Sequence, residues 1–350
     1  MSEIYELLGK YTVVFDIEDE DGYLRAIVSI PTEAMMESLT RELTRRGYIL
    51  QVEKDPHSSL YILSITKLPE EKRKFPWINL ILFLLTIITT MMAGAFQQGV
   101  NPFEGLNILK GIPFSFSIMA ILLAHEMGHY LMSKKHGVRA TLPYFIPFPH
   151  PLIGTMGALI RIRSPIPDRK ALLEIGAAGP WAGMIVAVPI TIIGLMLSDV
   201  VQVSGQEGVY LGNSLLFMLL SKAIVGNLPP GYDLYLHPMA FAGWLGFFVT
   251  SLNLIPMGQL DGGHVIYSLV GKKRHRVIAR ITWAFLVVAG IVWWKGWLTW
   301  AIIGLLLGLD HPEPLNDHIP LKRREKMLAI ASIILFFLTF VPNPIVVKGM

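Results

Sequence analysis

From Trp77 onward the chain is a succession of apolar stretches separated by short basic or proline-rich segments, and this pattern restricts its fold more than any other feature. A helix needs about 20 apolar residues to cross a bilayer. Stretches of that order occupy 77–96, 113–132, 172–197, 238–255 and 277–294. Segment 327–342 is somewhat shorter, and 297–309 reads either as a thin crossing or as a re-entrant piece. Segment 213–225 is apolar but carries Lys222, and reads as an interfacial helix. Basic clusters lie at 72–74, 134–135, 161–170, 272–276 and 322–326, whereas the loops near 97–111 and 198–236 are neutral or acidic. Because Lys and Arg collect on the cytoplasmic side, a multi-pass cell-membrane protein is expected, with about seven transmembrane helices, in a range of six to eight.

Composition agrees and adds a division. Hydrophobic residues make up 53% of the chain and charged ones 16%, well below the roughly 25% of a soluble domain. Residues 1–74 nevertheless hold 10 Lys/Arg and 14 Asp/Glu. A water-soluble domain over 1–68, a charged linker over 69–76 and a transmembrane body over 77–350 are therefore expected, with the N-terminal domain cytoplasmic. The start of the chain shows no basic n-region, so no signal peptide is read there. The pI of about 9.1 does not imply a nucleic-acid partner, since the basic residues flank apolar runs and the soluble part is acidic. With no cysteine, a metal can be held only by His and carboxylates.

Segments 11–17 and 23–30 are β-branched or aromatic and are joined by a turn at Asp21–Gly22, a hairpin pattern. A helix from Pro31–Thr32 to about Arg46 ends at Gly47, and strands follow at 48–53 and 60–67 around Asp55–Pro56. The predicted order is a small α+β unit, ββαββ. Its acidic run 16–21 reads as a solvated turn in preference to a cation site. In the membrane body, loop 137–170 carries Pro143, Pro147, Pro149, Pro151, Pro165 and Pro167, too many for a helix. Within it, the second half of 154–163 alternates like a strand, and the stretch predicts a membrane-associated β segment, whose edge can accept another strand.

The apolar helix at 113–132 contains His125-Glu126-Met-Gly-His129. Histidines at i and i+4 share a helical face and can reach one ion, and Glu126 lies near enough to take a proton from a metal-bound water. An HExxH string alone is unspecific, but ionisable groups inside an apolar helix are costly and mark function or a polar helix contact. A third ligand is available in Asn253-Leu-Ile-Pro256-Met-Gly258-Gln-Leu-Asp261-Gly-Gly-His264. Asp261 reads both as a ligand and as the N-cap of a helix over 262–270. His264 reads as a ligand, or as a polar group facing outward or standing behind the ligands, and Asn253 as a helix terminus or as a group facing a reacting carbonyl.

HExxH in one apolar helix followed by Asn-x-x-Pro-x-x-x-x-Asp-Gly after a later one resembles the site-2 protease family of intramembrane zinc metalloproteases. Gly154-Thr-Met-Gly-Ala158, Pro167-Asp-Arg169, Ala178-Gly-Pro-Trp-Ala-Gly183 and His237-Pro-Met-Ala-Phe-Ala-Gly-Trp244 are similar to strings of the branch named for the ethylene-dependent gravitropism-deficient and yellow-green proteins. The likeness covers about 112–270. It implies one zinc ion on His125, His129 and Asp261, Glu126 as general base and acid, and a transmembrane protein substrate. The implied activity is a zinc metalloendopeptidase that cleaves within or near transmembrane segments by Glu126-assisted attack of a zinc-bound water. Asn253 is a candidate to steady substrate or oxyanion. A strand near 154–163 would hold the unwound substrate by backbone pairing. Two other classes use the same residues: a metal or proton transporter, and a silent scaffold binding membrane helices. Arg161, Arg163, Arg169 and Lys170 read as headgroup anchors, Glu174 as a helix-dipole partner, and Trp293, Trp294, Trp297 and Trp300 as an interfacial belt. No oligomeric state is set by the sequence.

Overall fold

In the computed structural model, residues 2–20, 23–30, 32–55, 58–68, 75–203 and 208–348 are described. The turns read at Asp21–Gly22 and at Pro56, the start of the second helix at Pro31, and the basic cluster 72–74 with most of the linker, lie outside them. The N-terminal region comprises α1 (Ser2–Tyr11), β1 (Val13–Glu20), β2 (Tyr23–Ser29), α2 (Glu33–Arg45), β3 (Tyr48–Lys54) and β4 (Tyr61–Lys67). The strands form one antiparallel sheet in the order β1-β2-β4-β3. Period-two alternation sends Leu24, Ala26, Val28, Leu50, Val52, Leu63 and Ile65 into one core. α2 begins where the Thr32 hydroxyl accepts from the Met35 N–H at 3.2 Å, and ends before Gly47 at φ +82°.

The expected ββαββ order is thus preceded by a helix. Ile4, Leu7 and Leu8 form an apolar stripe at helical spacing and are buried with Leu39 and Leu43 of α2. The stripe is only about two turns long, so it is too short to stand out from the sequence.

The rest of the chain is mostly helical. Its elements are α3 (Trp77–Gln97), α4 (Ile112–Lys135), β5 (Tyr144–Pro147), β6 (Thr155–Leu159), α5 (Arg169–Met196), β7 (Asp199–Gln202), β8 (Gly208–Leu211), α6 (Leu215–Ile224), β9 (Tyr232–Tyr235), α7 (Pro238–Asn253), α8 (Asp261–Val292), α9 (Gly296–Leu307), α10 (Arg323–Thr339) and β10 (Ile345–Lys348). Among the described residues, four helices are long and apolar enough to cross a membrane: α3, α4 with the turn before it, α5 and α8. The segments read at 238–255, 297–309 and 327–342 form α7, α9 and α10, of 16, 12 and 17 residues. α8 is broken at Gly271, φ +77°, into a short arm that starts at Asp261 and a longer apolar arm. The loop at 198–236 holds more order than its composition indicated, because β7 pairs with β9 and β8 with β10 around the short helix α6.

Close helix approach is made by small residues. A Cβ at Gly128 of α4 would strike Ala178 and Ala182 of α5, one at Gly194 would strike Ala240 of α7, and one at Gly243 would strike Thr191 of α5. Trp297 departs from the belt reading: its ring is fully buried and its Nε1–H donates to the Pro342 carbonyl at 2.7 Å.

In loop 137–170 a strand forms as expected, but it is limited to β6 and paired with β5. α3 carries this hairpin. Asn79 Nδ2 donates to the carbonyls of Leu142 and Pro143 at 2.9 Å, Gln97 Nε2 to Leu152 O at 2.7 Å, and Phe83 meets Phe145 edge-on. At Gly154, φ +68°, an added Cβ would meet the Thr89 carbonyl and the Thr90 Cα of α3, each at 2.6 Å. Gly154→Ala meets both the positive φ and that backbone, and should lower stability by more than about 1 kcal/mol. Thermal unfolding in detergent, beside Gly99→Ala, a site of positive φ with open space around it, isolates the steric part.

Candidate metal centre

The second half of α4 places His125 and His129 one turn apart on the face that packs against α5. Both are nearly excluded from solvent, as is Glu126 between them. The third member arrives from the turn that links α7 to α8. α7 ends at Asn253, and Pro256 and the positive φ of Gly258 fold the chain back on itself. Gly262 and Gly263 lie so close to the carbonyls of Leu254, Ile255 and Gly258 that a Cβ could not be fitted there. Asp261 is consequently the first residue of α8 and not its N-cap. The cap position is Leu260, which makes no side-chain bond, so the carboxylate is left to face the histidines.

The three donors converge. His125 Nε2 and His129 Nε2 are 3.1 Å apart, and each lies 3.3 Å from Asp261 Oδ2. Tetrahedral ligands at about 2.0–2.1 Å from zinc stand roughly 3.4 Å from one another, so this triangle fits the ion closely. His129 Nδ1–H donates to the Ile175 carbonyl of α5 at 2.7 Å, which leaves the Nε2 lone pair for a metal. Among the described residues this is the group of His and carboxylates able to hold a metal ion. His125, His129 and Asp261, each singled out in the sequence, fit a zinc site.

α5 makes room for the imidazoles. A Cβ at Gly179 would occupy the His129 ring, and one at Gly183 would press on His125 at 3.3 Å. The small-residue string 178–183 thus serves the site as well as helix packing. Asn253 Nδ2 stands 3.1 Å from His125 Nε2, so the last residue of α7 is also part of the centre. The Ile160 backbone amide, one residue past β6, approaches the Glu126 carboxyl.

Other readings change. His264 does not join the triangle, because its Nδ1 lies 2.6 Å from His311 Nε2. Glu174 is beyond the first turn of α5 and pairs with Lys135 Nζ at 3.0 Å and His136 Nε2 at 2.9 Å. Arg169 makes a two-pronged contact with Asp317, both bonds 2.9 Å, and Lys170 lies 3.8 Å from Glu325. Neither is simply a headgroup anchor. Burial works against ionisation of Asp317, yet the Arg169 guanidinium holds its carboxyl below the usual range. Burial beside His264 pushes the His311 imidazole down to about 3 and keeps it neutral. His311, Asn316 and Asp317 were not singled out from the sequence. The available signal was a polar string, His311-Pro-Glu-Pro-Leu-Asn-Asp317, between two apolar helices.

Gly179→Ala should weaken zinc binding about 10-fold or more, because the added methyl displaces the His129 ring. Elemental analysis of the purified variant beside Ala178→Gly, which removes bulk in place of adding it, checks this.

The comparisons agree with this geometry. A model of peptidase family M50 matches residues 113–293, just over half of the chain. "Probable zinc metalloprotease EGY1, chloroplastic" of Arabidopsis thaliana is 31% identical over 76% of this chain and 53% of its own length. "Probable zinc metalloprotease EGY2, chloroplastic" of Arabidopsis thaliana is 29% identical over 71% and 45%. "Probable zinc metallopeptidase EGY3, chloroplastic" of the same plant is 25% identical over 77% and 50%. The chain spans about half the length of these relatives. No solved structure gives a significant match. With a zinc-fitting His125, His129 and Asp261 centre inside the matched segment, the chain belongs to peptidase family M50.

Proposed function

We propose that the protein is a zinc metalloendopeptidase that hydrolyses peptide bonds within or near transmembrane segments of membrane-protein substrates. The observation that carries this reading is the 3.1–3.3 Å donor triangle set among apolar helices with Glu126 buried beside it. Zinc, when bound, polarises the scissile carbonyl and lowers the pKa of the attacking water. Glu126 takes the proton as the new C–O bond forms, then passes it to the amine nitrogen as the C–N bond breaks. Asn253, with its amide at the centre, donates to the carbonyl oxygen as charge develops there.

A transmembrane helix hides its carbonyls and must be unwound before it is cut. β6 offers an edge for the unwound stretch, and strand addition there runs the substrate past Ile160 to Glu126. Exposed Met156 and Leu159 give that surface an apolar character suited to such a segment. The division into a soluble domain over 1–68 and a protease body over 77–350 belongs to the same reading. So does a cell-membrane topology of about seven crossings with the N-terminal domain and the basic loops on the cytoplasmic side. A transporter would use polar groups spread along a path, whereas these donors meet at one point, and family membership gives the transport reading no support.

Glu126→Gln should retain zinc and lose cleavage of a transmembrane reporter by about 100-fold or more. Asp261→Ala should lose the zinc itself. Measured zinc content and single-turnover cleavage separate the two effects, and a Glu126→Gln protein as active as wild type would refute the assigned base.

A further inference from the structure

The segment between α9 and α10 touches, residue by residue, the parts of the molecule on which Asp261 depends. The Leu309 carbonyl accepts from the Gly258 N–H at 3.2 Å, in the turn that delivers Asp261. His311 Nδ1–H donates to the Pro312 carbonyl at 2.5 Å, which makes its Nε2 an acceptor for His264 Nδ1–H at 2.6 Å. His264 lies one turn after Asp261, and a Cβ on Gly176 of α5 would meet both the His264 side chain and the Asp261 carbonyl. Asp310 pairs with Arg276, and Glu313 with Lys272, beyond the break at Gly271. The short arm of α8 has no side-chain cap at its start and a break at its end. Segment 309–313 brackets it from both sides.

The same segment continues to the N-terminal sheet. Leu315 N–H donates to Ile166 O at 3.0 Å and Asn316 N–H to Pro167 O at 2.9 Å, just before α5. The Asn316 side chain accepts from the Val52 N–H at 2.8 Å and donates to Leu50 O at 3.3 Å. These are backbone groups of β3, an edge strand of the sheet. Asn316 is itself buried, and its amide also reaches Pro167 O at 3.0 Å.

We propose that residues 309–317 form a strap that positions Asp261 and links the N-terminal sheet to the metal centre, with His311 as its inner anchor and Asn316 as its outer one. Displacement of the sheet then changes how tightly the centre holds its metal. The proposal rests on Asp261 being a zinc ligand. Neither anchor touches the donors, so both are positioning residues.

The test measures zinc transfer from the full-length protein in detergent to a chromophoric chelator, with zinc-free thermal unfolding as a check on folding. His311→Ala should weaken zinc binding about 10-fold, as loss of a supporting bond to a ligand's surroundings does. Asn316→Ala should weaken it in the same direction, and the double variant should be no weaker than the more severe single one, since both act through one strap. His311→Gln, which retains an acceptor for His264, should bind more tightly than His311→Ala. Wild-type affinity in Asn316→Ala, or multiplying losses in the double variant, overturns the strap as a link. If Asp261→Ala holds zinc as wild type does, the metal reading fails; if Asp261→Ala loses zinc while both anchor variants keep it, the strap alone fails.

Discussion

The constraint on which the rest of the structure depends is the cost of an ionised carboxylate among apolar helices. Asp261 stands where water is scarce, and an uncompensated charge there is costly. It is compensated by two imidazole nitrogens at 3.3 Å and, when bound, by the metal they are arranged to hold. Because a helix cannot turn its first residue inward without an abrupt approach, the turn at 254–260 must bend sharply. Pro256, Gly258, Gly262 and Gly263 are consequences of that requirement, since their close backbone contacts exclude any larger residue at the glycines. The charge deficit of the sequence and the glycine cluster thus express one demand.

α5 meets the second half of that demand. An imidazole needs both space and a defined tautomer. Gly179 and Gly183 supply the space, and the Ile175 carbonyl fixes His129 by accepting its Nδ1–H. Pro180 sits among them within the helix, and the segment does several jobs at once. It packs against α4, admits the rings and orients one of them. Glycine at these positions serves fit to the rings, which a general helix-packing motif does not require.

What was legible in the sequence is what a single element encodes. HExxH gives its own geometry through the helical repeat, and Asn253 and Asp261 sit in a string whose proline and glycines announce a turn. The four sheet strands followed from β-branched and aromatic segments set between turns, and the apolar stretches marked helices at nearly their observed places. The rest depends on pairings that no local pattern states. α1 carries only a two-turn stripe. Glu174 finds Lys135 and His136 across two helices, where its position in α5 alone indicated a dipole contact. Trp297 is buried because Phe340 stacks on it and Pro342 accepts its N–H. Asn316 meets Leu50 and Val52 more than 260 residues away. The short helices α7 and α9 and the break in α8 add to this, since length alone says little about a segment that stops at 16 or 12 residues.

The four central residues are not held alike, and the difference bears on how such a site works. His125 and His129 sit within α4, buried against Gly183 and Gly179 of α5, and have little freedom. Glu126, on the same helix, and Asp261 are each also approached by a segment outside α4 and α5. The end of β6 approaches Glu126, and the His264–His311 pair stands behind Asp261. With the proposed activity, the base and the metal must stay ready while a substrate is admitted only when it is unwound. Fixing the two imidazoles where α4 packs on α5, with the hairpin reaching Glu126 and the strap standing behind Asp261, meets both needs. On the proposed reading, readiness resides in α4 and α5, while the substrate meets Glu126 and the strap acts behind Asp261.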